Sequence, residues 1–201
     1  MKILRLTGSP LKLELHPDSA LLPDGRPMFY PDFGSSWQAE FYTAVRISRL
    51  GKGIAPRFAS RYYDALTLAM VISPSELSDS SELSELSDSS HLSNSSHLSD
   101  SSPLPYPGWL NALDNSITHG SWTVPGEVSS ATVSVVSGSE TVGNPVEISM
   151  SIDGIDAVIE RLSLHTTLRN GDLILLPTCV TIPLTPRTRI IAPDILNVKI
   201  V

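Results

Sequence analysis

Cysteine is almost missing from this chain: Cys179 is the only one in 201 residues. An internal disulfide is therefore excluded, and a metal site of the Cys/His type has no support. Long apolar runs are missing too. No stretch approaches the ~20 consecutive apolar residues of a membrane-spanning helix. Met1 to Leu6 carries neither a long apolar run nor a small-residue cleavage site. A soluble, cytoplasmic protein with no membrane partner is expected. Basic residues are outnumbered, 14 Lys and Arg against 21 Asp and Glu, which gives a net charge of -7 and a pI near 5.1. That balance argues against phosphate-backbone binding, so no nucleic-acid partner is expected.

What is there is enough for a core. Hydrophobic residues make up 41% of the chain, and its length fits one domain with room for an appendage. Three textures divide it at residues 1–74, 75–102 and 103–201. In the first, Asp24-Gly25 reads as a hairpin turn ahead of Met28-Phe29-Tyr30. Thr43 to Ile47 reads as a strand buried on both faces, and Arg57 to Ala65 as a short helix. In the third, Ile152, Ile155, Val158, Ile159 and Leu162 fall at helical spacing, with Ser151 or Asp153 as the cap. Asn170-Gly171 turns into the apolar run Asp172 to Leu176. Thr181 to Pro183, Arg189 to Ile191 and Leu196 to Val201 follow in strand texture. The whole reads as mostly β with short helices, an α+β chain.

The middle texture is different in kind. Serine fills 14 of the 28 positions from 75 to 102, and Leu-Ser-Asp-Ser-Ser recurs at Leu77, Leu86 and Leu98. Ordering each residue costs ~1–2 kcal/mol of backbone entropy, while one leucine in six returns only ~1.5–3 kcal/mol. A disordered, acidic, low-complexity insert is expected, with a phosphorylatable tether or a short β-solenoid as its possible roles. His91 and His97 are spaced by the repeat and are not read as metal ligands.

Several motifs then occur in a fixed order. Pro17-Asp18-Ser19-Ala20-Leu21-Leu22 and Tyr30-Pro31-Asp32-Phe33 precede Glu40-Phe41-Tyr42 and Ala44 to Ile47. Arg46 to Lys52 and Arg57 to Asp64 follow, and later come Asn111 to Ser116, Gly120, Trp122 and Gly171-Asp172-Leu173-Ile174. Together they resemble the fumarylacetoacetate hydrolase family, in its short bacterial form of the 2-hydroxyhepta-2,4-diene-1,7-dioate isomerase type. The resemblance implies the mixed β-sandwich or roll of that family's C-terminal domain, and a homodimer. It implies hydrolysis, decarboxylation or isomerisation of small 2-oxo or 1,3-dicarbonyl acids. The cofactor implied is Mg²⁺ or Mn²⁺, held by a Glu-x-Glu pair and a later Asp.

Carried over residue by residue, Glu40 is the first metal ligand, and Tyr42 and Val71 replace the other two. The catalytic positions fall on Asn111, where the family has lysine, on Asp114 and on Thr178. Ser116 and Pro177 fall on substrate-binding positions, and Pro177 replaces a glycine and offers no N–H. Losing two carboxylates of three removes most of the expected metal affinity. Three readings follow: a catalytically silent protein, binding alone or pairing with an active paralogue, or the product of a decaying gene; an enzyme rebuilt on Glu40 with Glu76 or Asp114; or a protein whose repeat is the functional part. His119 beside Ser116 and Asp114 is read as a loop histidine, Cys179 as a small buried residue, and Trp37, Trp109 and Trp122 as packing residues.

Overall fold

A computed structural model describes residues 1–8, 10–34, 36–75 and 107–201. The readings of the serine-rich insert beyond Ser75, and of Glu76 as a substitute ligand, fall outside these residues.

The chain opens with an antiparallel pair, β1 (Lys2–Thr7) and β2 (Lys12–Pro17), followed by a 3-10 turn at Asp18–Ala20. β3 (Trp37–Ile47) and β4 (Tyr63–Pro74) are the long central strands, paired antiparallel along their length. A short helix, α1 (Pro107–Leu110), precedes β5 (Ile117–His119). β6 (Ser130–Ser137) and β7 (Glu140–Ser149) form a hairpin, and α2 (Ile155–His165) follows. β8 (Leu173–Pro183), β9 (Arg189–Ala192) and β10 (Leu196–Lys199) complete the described elements.

Two sheets result. A six-stranded sheet runs β2-β1-β8-β3-β4-β5, and a four-stranded sheet runs β10-β9-β6-β7. Within the larger sheet only β1 and β8 are parallel. β4 reads Ala65-Leu66-Thr67-Leu68-Ala69-Met70-Val71, and every one of these residues is buried. A continuous apolar run is what a strand covered on both faces requires. On one face, Phe41, Leu68, Met70 and Trp37 pack toward Val133, Ile148 and Ile190 of the smaller sheet. Farther along that face, Leu4, Leu6, Val45, Ile47, Ile174 and Leu176 receive Ile155, Ile159 and Leu162 of α2. The opposite face carries a smaller cluster that includes Ile3, Tyr42, Ala69, Val71, Ile117 and Leu175.

Local readings hold where local chemistry decides them. Thr43 to Ile47 lies inside β3 with four of its five residues buried. Gly171 takes a left-handed φ of 86° at the turn into β8, a conformation nearly free of cost only for glycine. Others need correcting. Asp24-Gly25 does make a turn, but no hairpin: Leu21 bridges Ile117 and Met28 bridges Ile200, so the flanking residues go to different partners. The helix read over Arg57 to Ala65 is a 3-10 turn at Pro56–Arg61, and Tyr63 already starts β4. The helix read from Ile152 begins at Ile155 with Gly154 at its N-cap, because the Ser151 hydroxyl instead accepts the Asp153 N–H.

Candidate functional site

Strand alternation places one polar row on the face of the larger sheet away from the smaller one. β1 buries Leu4 and Leu6 toward α2, so Arg5 between them turns to the other face. Arg5 pairs with Glu14 of β2 on one side and Leu175 of β8 on the other. Leu175 in turn pairs with Ala44, and Tyr42 and Glu40 follow at two-residue steps along β3. Glu40 pairs with Val71, which puts Ser73 on the same face.

The side chains close into one network. Arg5 donates from Nε to Tyr42 Oη at 2.8 Å, from one terminal nitrogen to Glu40 Oε2 at 2.5 Å, and from the other to Glu14 Oε2 at 3.1 Å. Tyr42 Oη donates to the same Glu40 oxygen at 2.7 Å, and the Ser73 hydroxyl donates to Glu40 Oε1. Thr7 Oγ1 donates to Glu14 Oε1 at 3.3 Å. Both oxygens of Glu40 are thus engaged by protein donors. Beside them, His16 is 2% exposed and neither ring nitrogen has a hydrogen-bond partner; its Nε2 lies 3.9 Å from Glu14 Oε2, beyond hydrogen-bond length.

The protonation states follow from these contacts. Burial raises the Tyr42 phenol well above its ordinary value, and the Glu40 carboxylate adds to the rise, so Tyr42 is neutral and a donor. For Glu40, burial opposes ionisation, but Arg5, Ser73 and Tyr42 outweigh it and hold the carboxyl below its ordinary value. Burial opposes the charge on Arg5, yet its hydrogen bond to the Tyr42 oxygen and the carboxylates of Glu40 and Glu14 outweigh that and hold it above its ordinary value.

A cavity of about 160 Å³ lies against this network, lined in part by Thr7, Glu40, Tyr42, Pro177 and Cys179. Its wall is a bulge in β8. Glu40 pairs with Thr181 and Tyr42 with Pro177, so two steps along β3 face four along β8. Thr178 inside the bulge donates its hydroxyl to the Phe41 carbonyl at 2.7 Å. Cys179 takes a φ of 60° and is exposed, not buried as its residue type suggests, because the bulge turns it outward.

This arrangement of strands matches solved structures over the whole chain. A fumarylacetoacetate hydrolase family protein from Yersinia pestis superposes with a TM-score of 0.71 at 21% identity, covering 100% of this chain and 92% of that one. Fumarylpyruvate hydrolase from Pseudomonas aeruginosa, in complex with Mn²⁺ and pyruvate, gives 0.70 at 16% identity, over 100% and 89%. The 2-hydroxyhepta-2,4-diene-1,7-dioate isomerase from Mycobacterium marinum gives 0.69 at 18%, over 100% and 74%. The fold is that of the fumarylacetoacetate hydrolase family. No protein-family model and no curated protein matches the sequence.

Within the fumarylacetoacetate hydrolase fold, the sequence-derived site residues separate. Glu40, Tyr42 and Pro177 share the cavity. Val71 pairs with Glu40 but is packed among Ala69 and Ile117. Asn111, Asp114 and Ser116 do not line the cavity. Asp114 is exposed, and Ser116 is buried with its hydroxyl donating to the Leu113 carbonyl at 2.7 Å. His119 has its Nδ1 2.8 Å from the Gly120 carbonyl and its ring against Trp122, so Ser116 and His119 do not form a nucleophile–base pair. His119 and Trp122 line a larger cavity of about 580 Å³ near Arg26 and Asp194, away from Glu40. Trp37 is core, donating to the Phe33 carbonyl at 2.8 Å, whereas Trp109 is 61% exposed and lies outside the core.

Arg5, Glu14 and His16 escaped the motif reading altogether. The available signal was alternation: a charged residue between Leu4 and Leu6 must face away from whatever buries the leucines.

Proposed function

We propose that this fumarylacetoacetate hydrolase-fold protein has lost metal-dependent chemistry on 2-oxo and 1,3-dicarbonyl acids, and that the guanidinium of Arg5 is the resident cation beside Glu40. One observation carries the reading: Glu40 accepts from Arg5, Tyr42 and Ser73 together, and has no oxygen left without a protein donor. A divalent ion at Glu40 would sit against a guanidinium that cannot deprotonate, with a neutral phenol and Val71 in place of two carboxylates. Among the described residues, no three His, Cys, Asp or Glu side chains come together as a metal-binding group. The residues present do not fit Mg²⁺ or Mn²⁺.

The cavity argues the same way. At about 160 Å³ it falls below the ~300 Å³ at which small-molecule pockets begin. Binding, rather than turnover, is the activity this arrangement leaves.

Thermal unfolding with Mg²⁺ and Mn²⁺ tests the reading, on the wild type and Glu40→Ala. A ligand specific to the folded state stabilises it by about 2.7 kcal/mol at a hundredfold excess over its dissociation constant. No saturable shift is expected in either protein, and no turnover of oxaloacetate or an acylpyruvate. A metal-dependent shift that disappears in Glu40→Ala would sink the proposal and revive a rebuilt active site.

A further inference from the structure

β5 is the terminal strand of the larger sheet on the side away from β2. Its inward bonds alternate. The Ser116 carbonyl accepts from the Ile72 amide and the Gly120 amide donates to the Leu68 carbonyl, each at 2.9 Å, so Ser116, Thr118 and Gly120 face β4. Ile117, His119 and Ser121 therefore turn their backbone groups outward. The Ile117 carbonyl is taken by the Leu22 amide at 2.7 Å, and the Ser121 amide donates to the Ile195 carbonyl at 2.8 Å. Leu21 runs parallel beside Ile117, and the turn from Pro23 to Arg26 then leads the chain away. His119 is left between these two covers. Among the described residues its N–H and C=O have no backbone partner.

A free donor and acceptor on one strand residue are half of a β-bridge, which an extended peptide completes. His119 lines the cavity of about 580 Å³, a volume within the ~300–1,000 Å³ of small-molecule sites. Charges of both signs line it too. Asp24 and Arg26 come from the turn after Leu22, and Asp194 from the turn between β9 and β10. All three are exposed, and none forms an ion pair among the described residues. Trp122 adds apolar wall, with the Arg46 guanidinium 5.2 Å from its ring centre and the His119 ring at 4.8 Å.

We infer that this cavity binds a free di- or tripeptide. One residue of the ligand pairs with the N–H and C=O of His119 as a minimal added strand. Its carboxylate meets Arg26, and its ammonium meets Asp24 or Asp194. The covers on either side set the length: beyond His119 the outward groups of Ile117 and Ser121 are already engaged, so a longer strand finds nothing more to pair with. The inference is independent of the fate of Glu40, which lines the other cavity.

Calorimetry and backbone NMR on the full chain test it, with Ala-Leu, Gly-Phe, Lys-Ala and Ala-Leu-Ala as probes. Saturable binding with a dissociation constant below about 1 mM is expected from at least one of them. The His119 amide resonance should shift on binding, and its hydrogen exchange should slow at least about tenfold. Acetylated and amidated forms keep the peptide unit and lose both charges, while free amino acids keep the charges and lose the peptide unit. Each should bind at least about tenfold more weakly. Arg26→Gln should weaken the uncapped peptide by a similar factor and leave the Tm of the free protein unchanged, since Arg26 is exposed and unpaired. Absence of saturable binding from every probe at about 10 mM would overturn the inference. So would equal affinity for capped peptides or free amino acids, full affinity in Arg26→Gln, or binding that leaves the His119 amide unmoved.

Discussion

Replacing Arg5 by methionine should unfold this protein more readily, and in a way that depends on pH. Methionine keeps an unbranched apolar stem, so the variant removes the guanidinium while leaving most of the packing. Glu14 and Glu40 then lose their shared cation, and Tyr42 loses its donor. Removing one member of a buried ion pair costs about 3–5 kcal/mol. Here Glu40 and Glu14 keep 21% and 31% of their side-chain exposure, so water recovers part of the loss. A destabilisation of about 2–3 kcal/mol at pH 7 is expected, or roughly 5–10 °C in Tm for a chain of this size.

The sign with pH follows from linkage. In the wild type Glu40 is held below its ordinary value, so its contribution is present above that value and is lost as pH falls through the folded one. Without Arg5, Glu40 moves upward, and the variant loses less on acidification. The gap between the two proteins should therefore narrow between pH 7 and about pH 3, most of it below the ordinary glutamate value near 4.3. Urea denaturation at both pH values measures it. A loss below about 0.5 kcal/mol at pH 7, or a gap that does not change with pH, would refute the view of Arg5 as the cation of this site.

Two further outcomes follow from the fold. Asp172 is 1% exposed and accepts from the Lys2 amide at 3.0 Å and the Arg169 amide at 2.8 Å, besides pairing with the Lys2 ammonium. Asp172→Ala leaves those donors unmatched at the start of β8 and should cost about 3 kcal/mol by urea denaturation. At Gly120 a Cβ would lie 2.4 Å from the backbone carbonyl of Ile195, where β5 meets the turn between β9 and β10. Gly120→Ala should thus cost at least ~1–3 kcal/mol by pushing the two sheets apart, and a Tm within a degree of wild type would count against that contact.

Much of the framework was legible because its causes are local. The apolar run that opens β8, the Asn170-Gly171 turn and the 3.6-residue spacing of α2 each act within a few residues. Boundaries were less legible. Gly154, not Ser151 or Asp153, starts α2, since the Ser151 hydroxyl is spent on the Asp153 amide.

By itself the sequence determined a mostly β chain and a motif order that resembles the fumarylacetoacetate hydrolase family. Those are matters of residue identity, periodicity and spacing. Only the tertiary structure decided what became of Glu40. Its partners come from β1, β3 and β4, and Arg5 is 35 residues away along the chain. Strand order brings them together, and no local pattern encodes strand order. The exposure of Cys179 was decided in the same way, since it depends on a bulge defined by pairing with β3. A residue's type states what it could do, and its neighbours across the sheet settle which of those it does.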